Sequence, residues 1–278
     1  NLNLGVAFRS INKIDQIEET IESNIWLRHY WKDSRLTWDP ANYSNVTSVV
    51  FPTDPELEES IWTPDVYLYN TAEEPMGNLD YSRAMVDYKG DVIWSRPGML
   101  KSTCVFDLSR FPYDIQNCYL KFGSWGYHSD EMSLDLHDPP VDMENFQHHQ
   151  GWVMEDTGSE IKMKKYGCCP ELYPSAHFNF QIQRKSGYYT LNIVMPAFAT
   201  ATLMIISMLI PWDSGERISF AATVMLSLIV FLLILSDSLP KTDTKPLLSI
   251  MLIGLMFFSL IVVLFTVLIT ALRKVESD

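Results

Sequence analysis

Four cysteines, a scattered set of aromatic side chains and one acidic and hydroxylated stripe carry the chemistry legible in this chain. Cys104 and Cys118 enclose thirteen residues, with the turn Phe111-Pro112-Tyr113-Asp114 between them. A disulfide there would close a compact loop able to press on whatever it faces. Cys168 and Cys169 are adjacent. Neighbouring Cα atoms stand about 3.8 Å apart, below the usual disulfide span of about 4.4–6.8 Å, so a bond between them would stiffen their turn. Four cysteines allow three pairings; if Cys168 pairs with Cys169, Cys104 is left with Cys118. Tyr166 and Tyr173 flank the adjacent pair, Tyr69 ends Trp62-Thr63-Pro64-Asp65-Val66-Tyr67-Leu68-Tyr69, and Trp125 follows Gly123-Ser124. Aromatic faces converging on one point make a cage for a desolvated cation, each ring contributing about 0.5–2 kcal/mol. Taken singly, such rings are more often core than cage.

The stripe lies further along. Glu216, Ser219, Thr223, Leu226, Val230, Leu233 and Asp237 are spaced alternately three and four residues apart, which places them on one face of a helix. The face begins acidic, turns hydroxylated, becomes apolar and ends acidic. Lipid has no use for carboxylates at both ends, whereas a water-filled pore does. Rings of Glu216 and Asp237 would attract cations, Ser219 and Thr223 would replace part of an ion's hydration shell, and Leu226 with Val230 would form a constriction that closes by dewetting.

The elements that must position these residues divide into two kinds. Residues 1–187 carry 16 Lys and Arg against 28 Asp and Glu, while residues 188–278 carry 5 and 6. The first part shows short alternating runs broken by turn residues: Asn24–Trp31, Ala84–Tyr88 and Val92–Trp94 about the turn Lys89-Gly90, and Phe178–Arg184. Many short strands predict an immunoglobulin-like β-sandwich of about ten strands over 1–187. Charge-free runs of 27, 19 and 27 residues follow, at 186–212, 218–236 and 246–272. A hydrocarbon layer about 30 Å thick needs about 20 helical residues, so membrane helices are expected over 188–211, 216–237 and 245–272. The short link 213–217 joins the first two as an antiparallel pair. With the β domain outside, Arg217, Arg273 and Lys274 lie on the cytoplasmic side, in keeping with the positive-inside bias.

Composition excludes several classes. An acidic chain lacks the basic patches that nucleic acid requires. Neither a Ser-His-Asp set nor a phosphate-binding glycine loop appears, so no enzyme is expected. His148-His149 lack further ligands, and Asp138, Asp142 and Glu144 read as a solvated acidic loop with at most weak calcium affinity. No metal site and no cofactor are expected. All four cysteines precede the first apolar run, which fits an oxidising compartment. The sequons Asn42-Tyr43-Ser44 and Asn45-Val46-Thr47 make Asn42 and Asn45 candidate glycosylation sites. Asn1-Leu2-Asn3-Leu4 begins inside a strand-like pattern and reads as the start of a mature or trimmed chain.

From about Ile11 to Lys274 the chain resembles the Cys-loop pentameric ligand-gated ion channels, and among them nicotinic acetylcholine receptor subunits of the α type. The thirteen-residue cystine loop, Trp62-x-Pro64-Asp65, Cys168-Cys169 and Gly215-Glu216-Arg217-Ile218-Ser219 carry the resemblance. It implies disulfides Cys104–Cys118 and Cys168–Cys169. It implies an agonist site whose principal face is Tyr69, Trp125, Tyr166, Cys168, Cys169 and Tyr173, and whose complementary face is Trp26, Met85, Ile93 and Ser95. It implies a pore gated at Leu226, and a coupling zone of Asp15, Gln16, Ile17, the loop residues Phe111 and Pro112, Arg184 and Pro240. The implied partners are identical or related subunits in a homopentamer or heteropentamer, a small cationic amine such as acetylcholine, permeant monovalent cations with calcium as a further candidate, and the lipid bilayer. The implied location is the plasma membrane, multi-pass, with the amino-terminal domain extracellular and a synapse as one setting. Three departures stand out. Gln16 replaces a glutamate that would face Arg184, with Glu18 or Asp15 as substitutes. Ser175 replaces an aspartate that would hold Lys121. Ala197 replaces a common cysteine. The family's amino-terminal helix is not seen in this chain, and nor are its large cytoplasmic segment and fourth span, the last two of which are expected in the natural protein.

Overall fold

The computed structural model describes residues 1–73, 78–211, 216–237, 239–240 and 245–277, with the side chains of Asn78, Arg273, Lys274, Glu276 and Ser277 excepted. The expected links 213–217 and 237–245 therefore fall partly outside the described residues. So do Gly215 of the signature motif and the side chains of Arg273 and Lys274. The chain divides into two compact units, 1–106 with 116–182, and 107–115 with 183–278. The cystine loop thus contributes its ends to the first unit and its centre to the second.

Eleven strands build the first unit: β1 (Leu2–Asp15), β2 (Thr20–Lys32), β3 (Ser48–Phe51), β4 (Val66–Leu68), β5 (Asn78–Leu79), β6 (Ala84–Asp87), β7 (Asp91–Thr103), β8 (Ile115–Ser124), β9 (Leu134–Asp142), β10 (Trp152–Lys165) and β11 (Leu172–Arg184). They form a seven-stranded sheet in the order β3-β6-β7-β2-β1-β9, with β5 on β7, and a four-stranded sheet in the order β10-β11-β8-β4. Alternation explains the sandwich. Ile21, Ile25, Leu27, His29 and Trp31 turn inward from β2, and Cys118, Leu120 and Phe122 from β8. Phe8 of β1 meets Phe180 of β11 edge to face at 5.4 Å, which joins the two sheets. The β6–β7 hairpin turns on Asp87, whose carboxylate accepts from the backbone N–H of Lys89 and Asp91 at 2.8 and 3.0 Å. Gly90 takes φ +81°, and a Cβ there would stand 2.4 Å from the Asp33 carbonyl oxygen, so only glycine fits.

Among its described residues the second unit holds three helices long and apolar enough to cross a membrane, Gly187–Ser207, Glu216–Asp237 and one that runs Leu247–Ser277. The first begins with a π-helical turn at Thr190–Val194 just before Pro196, which has no N–H to give the regular ladder. It ends at Ser207, short of the expected 211, because Met208, Leu209 and Ile210 tighten into turn bonds ahead of Pro211. The third helix starts at Leu247 and continues beyond Leu272 into its charged end. Met204, Ala221, Val224 and Val262 form a buried seam among the three helices.

The centre of the cystine loop packs within this second unit. Phe111 is buried against Tyr189 at 4.8 Å. The Leu247 N–H, one of the free donors at a helix start, donates to the Ser109 carbonyl at 2.9 Å. Tyr113 and Thr190 join their hydroxyls at 3.1 Å.

Candidate functional site

The six residues expected as a principal face meet in one cleft. Tyr69, Trp125, Tyr166, Cys168, Cys169 and Tyr173 line an open cavity of about 740 Å³, together with Tyr67, Thr71 and Lys121. They come from three separate stretches. Tyr69 extends β4, Trp125 follows β8, and the Cys168–Cys169 disulfide tips the β10–β11 hairpin. Tyr69 and Trp125 lie edge to face at 6.4 Å, and Tyr166 and Tyr173 at 5.7 Å. Trp125 is 75% exposed, so its ring is presented to solvent instead of filling a core.

Asp65 sets this geometry. Its carboxylate accepts from the Ser124 hydroxyl at 2.6 Å and from the Gly126 N–H at 2.6 Å, on either side of Trp125. The Ser124 hydroxyl oxygen in turn accepts from the Tyr127 N–H at 2.9 Å. Tyr69 donates its hydroxyl to the Ser124 carbonyl. Partial burial, with Tyr166, Asp65 and Tyr173 nearby, pushes the Tyr69 phenol up to about 12. Gly123 admits the tyrosine: a Cβ there would lie 2.9 Å from the Tyr69 ring. Sequence reasoning quoted Asp65 and Gly123 inside motifs without giving either a task. It also passed over Tyr67 and Thr71, which the two-residue strand period from Tyr69 would have found.

Lys121 is the one ionised side chain among the described lining residues. Its ammonium lies 5.2 Å from the Tyr69 ring centre. Burial, then Lys164 and Lys162, hold its pKa below the ordinary lysine value. Ser175 is buried, and its hydroxyl reaches the Lys162 carbonyl and the His177 ring, each at 3.2 Å.

Trp26, Met85, Ile93 and Ser95 lie elsewhere, on the outward face of the seven-stranded sheet. Register pairs Met85 with Ile93 and sets Trp26 beside Pro97, one strand over. None of the four lines the cleft among the described residues. One face of the Trp26 ring is already covered, by the Arg9 guanidinium 4.2 Å from its centre. The β1–β2 register slips at Arg9, and such a bulge re-aims the side chain it carries.

In the second helix, a step of about 100° per residue sets Glu216, Ser219, Thr223, Leu226, Val230, Leu233 and Asp237 roughly opposite Ala221, Val224, Leu228 and Leu235. The latter four are buried among the helices. All seven stripe residues are exposed, Leu226 at 60% and Leu233 at 59%.

The coupling residues fall in both units. In the second, Arg184 donates to Asp114 of the loop at 2.7 and 3.0 Å in a fully buried pair, with its guanidinium 4.8 Å from the Phe111 ring centre. In the first, Asp15 pairs with Lys13 and accepts from the Ile17 and Glu18 N–H groups, and Glu18 pairs with Lys101. Ile17 is exposed, and Gln16 and Pro240 are half-buried in their own units. Pro112 follows Phe111 through a cis peptide, and the Cys104–Cys118 disulfide closes the loop. Asn42 and Asn45 are both exposed.

The acidic loop is corrected: Asp138 and Asp142 lie in β9, where Asp142 is paired with Ala7 of β1 and binds Arg28 at 2.8 Å, while Asp138 is exposed at a register shift. Among the described residues no group of three or more His, Cys, Asp or Glu side chains is placed to hold a metal.

Residues 1–186 match the family described as the neurotransmitter-gated ion-channel ligand binding domain, and residues 193–277 match the neurotransmitter-gated ion-channel transmembrane region. The chain is 35% identical over 270 residues to the neuronal acetylcholine receptor subunit alpha-6 of Rattus norvegicus, covering 97% of this chain and 53% of the relative. It is 35% identical over 266 residues to subunit alpha-3 of Carassius auratus, covering 95% and 50%. Against subunit alpha-2 of Rattus norvegicus it is 34% identical over 270 residues, covering 97% and 51%. The chain spans about half the length of the curated relatives it matches. With both regions present in one polypeptide, this membrane protein belongs to the neurotransmitter-gated ion-channel family.

Proposed function

We propose that the chain is a subunit of a pentameric, cation-selective channel opened by a small extracellular amine of the acetylcholine type. The observation that carries this reading is the convergence of Tyr69, Trp125, Tyr166 and Tyr173 on one cleft beside the Cys168–Cys169 disulfide. An ammonium resting on Trp125 exchanges water for aromatic faces, a trade worth about 0.5–2 kcal/mol per ring. The cleft is open on one side, and the Trp26 face lies on another part of the sandwich. A second subunit, identical or related, closes the site by bringing its Trp26, Met85, Ile93 and Ser95 against the first.

The transmembrane part supports the same reading. A helix that buries one face among its own chain's helices leaves Glu216 to Asp237 for a shared axis. Five such faces enclose water, with carboxylates at both rims and Leu226 and Val230 at the waist. Cations, monovalent ones first, are the permeant ions. The amino-terminal unit is extracellular at the plasma membrane, where Asn42 and Asn45 can carry glycans. Closure of the Cys168–Cys169 hairpin on the agonist shifts the sandwich, and the cystine loop conveys that shift to the helices through Phe111, Pro112 and the Asp114–Arg184 pair. Asp15, Gln16, Ile17 and Pro240 complete this coupling zone.

Whole-cell recording from the full-length protein tests the proposal, using a panel of quaternary and protonated amines and substitution of the permeant ion. The expected result is an amine-evoked current that reverses near the cation equilibrium potential. Trp125→Ala should shift its half-maximal concentration about tenfold or more, the loss of one strong cation–π contact. An absence of current across the panel despite surface expression would contradict it.

A further inference from the structure

The cleft holds a cation of its own and, among the described residues, no anion lines it. Lys121 projects among Tyr69, Tyr166 and Tyr173, and no carboxylate lines the cavity among the described residues. Two acids of the same unit are engaged elsewhere. Asp65 is occupied by Ser124 and Gly126, and Glu160 pairs with Lys162 at 2.7 Å. Ser175, in β11, offers a hydroxyl already turned to Lys162 and His177. Lys121 thus has no ion pair among the described residues, and burial first, then Lys164 and Lys162, holds its pKa low. A partly buried ammonium without a counter-charge is a standing cost that a bound anion relieves.

Tyr69 links that ammonium to the aromatic platform. Its ring centre is 5.2 Å from Lys121 Nζ and 6.4 Å from the Trp125 ring centre. We propose that the cleft selects a zwitterion, its ammonium seated on Trp125 and an anionic group a few bonds away paired with Lys121. This deepens the amine-site reading above and rests on it. A ligand bearing only positive charge meets Coulomb repulsion from Lys121. An ester or amide carbonyl accepts a hydrogen bond there but leaves the charge standing. A carboxylate does both, through a charge-assisted bond of about twice the neutral strength. Lys121 is therefore a specificity-determining residue of the cleft.

Equilibrium binding to membranes bearing the full-length protein tests this with a matched pair, 4-(trimethylammonio)butyrate and its primary amide. The two share length and ammonium and differ in the anion. The acid should bind about tenfold more tightly than the amide, the scale of one hydrogen bond to a charged group. Lys121→Gln should remove that preference by weakening the acid about tenfold while moving the amide less than about threefold, and Lys121→Arg should keep it. Surface labelling of each variant separates altered binding from lost folding. Equal affinity for acid and amide in the wild type overturns the proposal, as does equal weakening of both in Lys121→Gln. If the amide binds in a Trp125-dependent way and the acid binds no better, the zwitterion inference alone has failed. If neither compound binds, or binding survives Trp125→Ala, the amine-site reading has failed with it.

Discussion

The aromatic cleft and the exposed face of the second helix place their working residues by opposite means. In the cleft, side chains from positions 69, 125 and 166–173 meet only because Asp65 ties the turn after β8 and Gly123 lets Tyr69 lie flat against it. On the helix, seven residues align because the backbone repeats, and the opposite face does the packing. A site of the first kind is broken by loss of a support that touches no ligand. One of the second kind tolerates change along its own length, provided that the buried face survives.

Substitutions can sharpen or erase that contrast. The largest effect is expected at the Asp114–Arg184 pair of the second unit. Asp114→Ala leaves a buried guanidinium without its carboxylate and should cost about 3–5 kcal/mol in thermal unfolding of the solubilised protein. Next, Leu228→Ala on the covered face of the second helix should cost about 2–3 kcal/mol. Leu226→Ala on the exposed face should cost less than about 0.5 kcal/mol while altering conduction. Equal losses at the two leucines would dissolve the distinction between faces. Asp65→Ala should cost about 2 kcal/mol, and should lower amine affinity in binding assays although Asp65 lies behind the rings. Unchanged affinity would mean that Trp125 is held by something other than the Asp65 clamp.

A further effect is a pH dependence confined to the sandwich. His29 is fully buried, its ring tilted against Trp94 at 4.8 Å, and burial together with Arg96 pushes its pKa down to about 3. The folded form therefore resists a proton that the unfolded chain accepts below about 6.5. Between those values the unfolded state binds more protons, so stability falls as pH drops, by roughly 1.4 kcal/mol per unit. Asp15 and Asp142, whose pKa values are lowered by hydrogen bonds to backbone N–H groups and paired cations, add their loss only when pH falls below about 4. His29→Gln should flatten the melting temperature between pH 6.5 and about 4.5, and an unchanged slope there would remove His29 as its source.

What sequence could and could not reveal follows from the same contrast. The stripe from Glu216 to Asp237 was legible because helical periodicity is local. The strands were legible where alternation ran cleanly, as in Phe178–Arg184. Helix ends were less so, since the tightening of Met208–Ile210 ahead of Pro211 is a matter of hydrogen bonding that an uncharged run does not display. The cleft residues were found through resemblance, and their supports were not. Nothing in spacing ties Asp65 to Gly126, or Arg9 to the face of Trp26, because those pairs form only when distant strands come together. For the same reason the pairing of Arg184 with Asp114 of the cystine loop was not foreseen.

The proposed pore face of the second helix can be tested most directly by cysteine substitution from Ser219 to Val230 in the full-length protein. The described residues include no free cysteine to cloud the reading. A water-soluble thiol reagent applied with the amine should change the current at positions 219, 223, 226 and 230, and leave positions 221, 224 and 228 silent. Reaction at the second set, or none at the first, would contradict the account.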